Sequence, residues 1–155
     1  MDFFWSMASS EFNATLCEQL FLAPKYVASR IRWRSGNGDD VFIFQAKVLT
    51  EDGTGLDLTG YWKKVGRHGY TRWGFSLKYM GHCVRSYDMA SKHKNPGEGW
   101  VRGPHKHKFS SSKIERFAYK PDPPLSETDA NQSLMDFLKE GNIDLRTEYQ
   151  DFMFT

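Results

Sequence analysis

An α+β fold, with a central antiparallel sheet of about five strands between an N-terminal and a C-terminal helix, is the architecture predicted by these 155 residues. Three patterns point there. Apolar residues at three- and four-residue spacing occur near both ends of the chain, as helices packed on one side require. The middle alternates apolar and polar residues, as half-buried strands do, and short Gly- and Asn-containing turns separate the alternating stretches.

Ser10 stands before Phe12, Leu16 and Leu20, which predicts a capped first helix ending near Pro24, a residue that cannot continue it. From Tyr26 to Arg34, Val27, Ile31 and Trp33 share one side and Ala28, Arg30, Arg32 and Arg34 the other, and Ser35-Gly36-Asn37-Gly38 then turns the chain. Val41 to Leu49 forms the partner strand, with Phe42, Phe44, Ala46 and Val48 on one face, and Glu51-Asp52-Gly53 turns again. Tyr70 to Tyr79 sends Trp73, Phe75, Leu77 and Tyr79 inward and Arg72, Ser76 and Lys78 outward. Met80-Gly81-His82 is a hairpin into Cys83 to Asp88. Met89 to Pro104, rich in Lys, Gly and Pro, reads as a long functional loop. Short strands follow at His105 to Phe109 and Arg116 to Lys120, and Pro121-Asp122-Pro123-Pro124 breaks regular structure. Ser126 with Asp129 predicts a capping box for the last helix, Leu134, Phe137 and Leu138 its buried stripe, and Gly141-Asn142 its stop. Tyr149, Phe152, Met153 and Phe154 form a tail that either packs back or grips a partner.

At 18.0 kDa the chain has the size of a single domain, 1–155. Hydrophobic residues at 39% and aromatics at 15% exclude a disordered chain, and no apolar run is long enough to span a bilayer. Cys17 and Cys83 make at most one bridge, too few for a disulfide scaffold or a zinc site of paired thiolates. Asp2 stands where a signal peptide needs basic residues, so a cytoplasmic location is expected.

Charge is sorted along the chain. Residues 1–60 carry five Lys/Arg against eight Asp/Glu, residues 61–120 fourteen against three, and residues 121–155 two against eight. The basic middle third also holds all five histidines and is interleaved with Trp62, Tyr70, Trp73, Tyr79, Tyr87, Trp100, Phe109 and Tyr119, a mixture suited to phosphate contacts and base stacking. Nucleic acid is the expected partner, with Lys78, Lys92, Lys94, Arg102, Lys106 and Lys108 as binding residues. The plainer account is a solvated basic face balanced by the acidic tail.

His105-Lys106-His107 is the sharpest local feature, because residues two apart on a strand share a side. Three chemistries fit it. The histidines could cleave RNA as general acid and base with no cofactor, with Arg85 and Lys106 or Lys108 stabilising charge on phosphorus. His105, His107, His93 and Asp88 could instead surround a divalent metal that activates water. In the third, the cluster binds phosphate without catalysis.

The run Arg85-Ser86-Tyr87-Asp88, His93-Lys94-Asn95-Pro96, Gly103-Pro104-His105-Lys106-His107, Phe117-Ala118-Tyr119 and Phe137-Leu138-Lys139-Glu140-Gly141-Asn142-Ile143 resembles a family of small bacterial and phage proteins. More distantly, the order Arg-Tyr-Asp, His loop, Pro-His segment resembles the TumE-type toxins of toxin–antitoxin operons. The resemblance covers residues 70–143 and implies a compact α+β protein with Arg85, Asp88, His93, His105 and His107 at one site. It also implies a prokaryotic or phage setting and a toxin-like role, for which a cognate antitoxin would be the partner.

The expectation is a small nucleic-acid-engaging protein, in its enzymatic form a toxin-like ribonuclease acting on RNA through His105 and His107. The alternative is a non-enzymatic phage or mobile-element inhibitor that binds a host defence complex, using Tyr149, Phe152 or Phe154.

Overall fold

The computed structural model describes residues 12–65, 70–88, 92–95, 99–102, 105–109, 116–119 and 125–154, and from 92 to 119 it describes the backbone alone. The apolar spacing at the start produces α1 (Ala14–Leu22), which buries Leu16, Cys17, Leu20 and Phe21. Asn13 caps it, its Oδ1 accepting the Leu16 N–H at 2.9 Å; Ser10, the expected cap, lies outside the described residues. At the other end the Lys25 ammonium, 3% exposed, donates to the carbonyls of Leu20, Phe21 and Ala23 at 2.8, 2.5 and 2.7 Å. A cation thus satisfies the orphan carbonyls and faces the negative end of the helix dipole. Burial lowers its pKa to about 8.

The strands are β1 (Lys25–Val27), β2 (Arg34–Ser35), β3 (Val41–Thr50), β4 (Gly55–Val65), β5 (Tyr70–Tyr79), β6 (His82–Asp88), β7 (Lys92–Asn95), β8 (Gly99–Arg102), β9 (His105–Phe109), β10 (Arg116–Tyr119) and β11 (Ile143–Asp144). α2 (Ala130–Glu140) precedes the last of them. The main sheet runs β10-β9-β6-β5-β4-β3-β1-β11, with β2 also paired to β3, and β7 and β8 form a separate hairpin. The α+β class with two helices is as expected. The sheet is larger than five strands, and it is mixed, because β11 returns from α2 to lie parallel to β1.

Several elements differ from expectation for local reasons. The stretch Tyr26 to Arg34 is not one strand: Ala28 N–H still bonds the Lys47 carbonyl at 2.8 Å, but the Ser29 hydroxyl then takes the Lys47 N–H, and the chain leaves β3 until Arg34. β4 was not expected, since Gly60 interrupts the alternation of Leu56, Leu58 and Trp62. The glycine is required by packing: a Cβ there would stand 2.8 Å from the Phe44 ring. The stretch expected to be a long loop contains the β7–β8 hairpin. α2 is capped by Asp129, which accepts from Asn131 and Gln132 N–H, while the Ser126 hydroxyl accepts from the Asp129 N–H in the turn before it, so no capping box forms.

One face of the sheet carries the core. Phe44, Phe75 and Tyr87 stack across β3, β5 and β6, with ring centroids 6.5 and 6.2 Å apart, and Phe137 of α2 lies 5.7 Å from Phe75. α1 covers the β6 end; the Cys17 thiol there donates to the Val84 carbonyl at 2.8 Å. The tail packs back over β3 and β4: Phe154 stacks on Trp62 at 5.0 Å, and Phe152 meets Phe42 at 5.0 Å. Asn131 holds it there, bonding both the N–H and the carbonyl of Phe152 and accepting from the Tyr149 hydroxyl. No described helix is long and apolar enough to cross a membrane.

Candidate functional site

The site is built on the opposite, outer face of the sheet. In β4 the same alternation that buries Leu56, Leu58 and Trp62 turns Asp57, Thr59, Tyr61 and Lys63 outward. In β5 the outward set is Arg72, Gly74, Ser76 and Lys78, and in β6 it includes Ser86 and Asp88. Beside Val41 and Ile43 of β3, the face holds Lys47, Lys63, Arg72 and Lys78 among its described residues, with Asp57 and Asp88 as its carboxylates.

Asp88 is the centre of a small network. It accepts from the Tyr61 hydroxyl at 2.9 Å and from Arg72 Nη2 at 3.2 and 3.4 Å. The register Tyr61–Gly74–Asp88 explains the reach, because the tyrosine ring crosses the glycine between them. A Cβ on Gly74 would stand 2.6 Å from Tyr61 Cε1 and 2.7 Å from the Tyr87 carbonyl oxygen. Burial and the Asp88 charge both raise the Tyr61 pKa, and the carboxylate holds Arg72 firmly protonated. Lys63 Nζ lies 5.7 Å from the centre of the Tyr61 ring.

The pairing of β9 with β6 extends this face. His105 is the register partner of Asp88, and His107 that of Ser86. The two histidines and Asp88 therefore occupy one face parity, two strand positions apart. The Ser86 hydroxyl is buried and has no hydrogen-bond partner among the described residues. Lys106 and Lys108 are register partners of Tyr87 and Arg85 and so fall on the other parity, that of the helices. Arg85 is not brought to Asp88. Its side chain, 5% exposed, pairs with Glu18 of α1 at 2.6 Å and covers the Phe21 ring at 3.9 Å. His93 lies on β7 across from Val101, with Lys92 opposite Arg102 and Lys94 opposite Trp100, and β7 lies against β10.

Among the described residues no group of three or more His, Cys, Asp or Glu is gathered to hold a metal; the side chains of His93, His105 and His107 lie outside that set. Tyr61 and Lys63 escaped the sequence reading, which placed Arg72 outward on its strand but not at the site. The signal was present in Asp57-Leu58-Thr59-Gly60-Tyr61-Trp62-Lys63, where polar residues alternate with core residues despite the glycine. Comparison with protein-family models, with curated proteins and with solved structures finds no match to this chain.

Proposed function

We propose that this chain engages RNA through the outer face of its sheet and cleaves it by acid–base chemistry of His105 and His107, as a toxin-like ribonuclease in a prokaryotic or phage-infected cytoplasm. The observation that carries the reading is the β6–β9 register, which gives the two histidines the same face as Asp88, Tyr61 and Arg72. One imidazole takes the proton of a ribose 2′-hydroxyl and the 2′-oxygen attacks phosphorus. The other imidazole protonates the departing 5′-oxygen, leaving a 2′,3′-cyclic phosphate and a 5′-hydroxyl. Asp88, opposite His105 in the register and bonded to Tyr61 and Arg72, stabilises a charged imidazole on β9 by its negative charge. Lys63, Arg72 and Lys78 supply positive charge to the phosphates on that face, and Lys92, Lys94 and Arg102 of the hairpin extend the track. Arg85, Lys106 and Lys108 have no part at the scissile phosphate in this reading.

The test is cleavage of an end-labelled RNA by the purified protein, with and without EDTA. The proposal expects cyclic-phosphate ends that persist in EDTA and vanish in His105→Ala and His107→Ala variants of unchanged fold. Undiminished cleavage by both variants refutes the assignment, and loss in EDTA replaces it with metal-activated water.

A further inference from the structure

Resting on that reading, we infer that Tyr61 is a platform for an unpaired nucleobase, so that the RNA taken by this face is single-stranded next to the scissile phosphate. Three observations lead there. Tyr61 is an aromatic side chain on the face opposite the core, in a sheet whose other large rings mostly face α2 or the tail. Its ring lies along the sheet across Gly74, and the hydroxyl is tied to the carboxylate that Arg72 also holds. The ring is therefore fixed before any ligand arrives, which reduces the entropy lost on stacking. Finally, cations stand at the ring: Lys63 Nζ lies over its face, 5.7 Å from the centre and so at the outer limit of a cation–π contact, where an incoming base takes its place and leaves the ammonium to the phosphate, and Arg72 is on the next strand.

An aromatic ring bordered by cations on a sheet surface is the chemistry that binds single-stranded RNA: the ring stacks a base of any sequence and the cations follow the phosphates. A paired base cannot take part, because both its faces are already stacked in a duplex. Asp88 is one strand spacing, about 4.8 Å, from His105. A base on Tyr61 thus sets its own ribose and phosphate beside the strand that carries the histidines.

The experiment measures binding of two fluorescein-labelled 2′-O-methyl oligoribonucleotides, which cannot be cleaved through a 2′-hydroxyl. One carries bases and the other is the same chain without them. Wild type should bind the base-bearing strand more tightly. Tyr61→Thr should lose about tenfold of the affinity for the base-bearing strand relative to that for the abasic one, the worth of one stacked base, while Tyr61→Phe, which keeps the ring but not its tie to Asp88, loses less of it. Tyr61 ring resonances of the wild type should also shift with the base-bearing strand alone, a readout independent of any variant's folding. Equal affinity of wild type for the two strands, or unmoved ring resonances, overturns the platform and leaves the ribonuclease reading standing. No binding of either strand overturns that reading as well.

Discussion

Tyr61 reaches across the backbone of Gly74 to donate its hydroxyl to Asp88 at 2.9 Å, joining two strands that are not neighbours in the sheet. The link depends on a missing side chain in β5. It also fixes the carboxylate that faces His105 in the register. The outer face is thus organised by a residue with no functional group of its own.

Gly74→Val tests that dependence. The added Cβ meets Tyr61 Cε1 at 2.6 Å and the Tyr87 carbonyl at 2.7 Å, and the second of these is backbone that cannot step aside. Urea denaturation should show a loss of about 1–3 kcal/mol, the usual cost of overpacking. Gly53→Ala, at a turn position with open space but a φ of +87°, should lose less and through backbone strain alone.

Lys25→Met should cost about 1–3 kcal/mol at neutral pH by leaving three carbonyls at the end of α1 without their donor. The pH dependence has a definite sign. Folding lowers the lysine pKa from 10.5 to about 8, so between those values the unfolded chain holds a proton that the folded one has released. This group's contribution to unfolding free energy is lowest below pH 8 and rises with pH up to 10.5. The difference between wild type and Lys25→Met, measured by denaturation across that range, should rise in the same direction, and taking the difference cancels the tyrosines that titrate there.

Asn131→Ala should release the C-terminal tail. One side chain holds both backbone groups of Phe152 and the Tyr149 hydroxyl, which in turn accepts from the Trp33 indole at 2.9 Å. We expect a loss of about 1–3 kcal/mol and faster trimming by carboxypeptidase. Gln132→Ala, one position along α2 and exposed, should stay within about 0.5 kcal/mol of wild type.

Much of this architecture was legible in the residues. The alternations of Phe42, Phe44, Ala46 and Val48, and of Trp73, Phe75, Leu77 and Tyr79, became the centre of the sheet because a two-residue period admits one buried face. The stripe of Leu134, Phe137 and Leu138 became the buried side of α2. What escaped depends on distant partners. Gly60 looks like a break until the Phe44 ring is laid over it, and β1 gains a parallel neighbour through a segment more than a hundred residues later. At the site, Arg85 and Asp88 are three apart in sequence, an odd step on a strand, which sends them to opposite faces. Lysine 25, charged and between two apolar stretches, gave no sign that it would be buried against helix carbonyls.

Alternation along β9 offers the most direct trial of the central claim. Initial rates of RNA cleavage should be compared for His105→Ala, His107→Ala, Lys106→Ala and Lys108→Ala, each checked for an unchanged melting temperature. The account predicts a fall of about 10²–10⁴-fold in each histidine variant, the usual worth of a general acid or base, and rates within a few-fold of wild type in each lysine variant. Full activity without either imidazole, or a loss that follows the lysines instead, would contradict it.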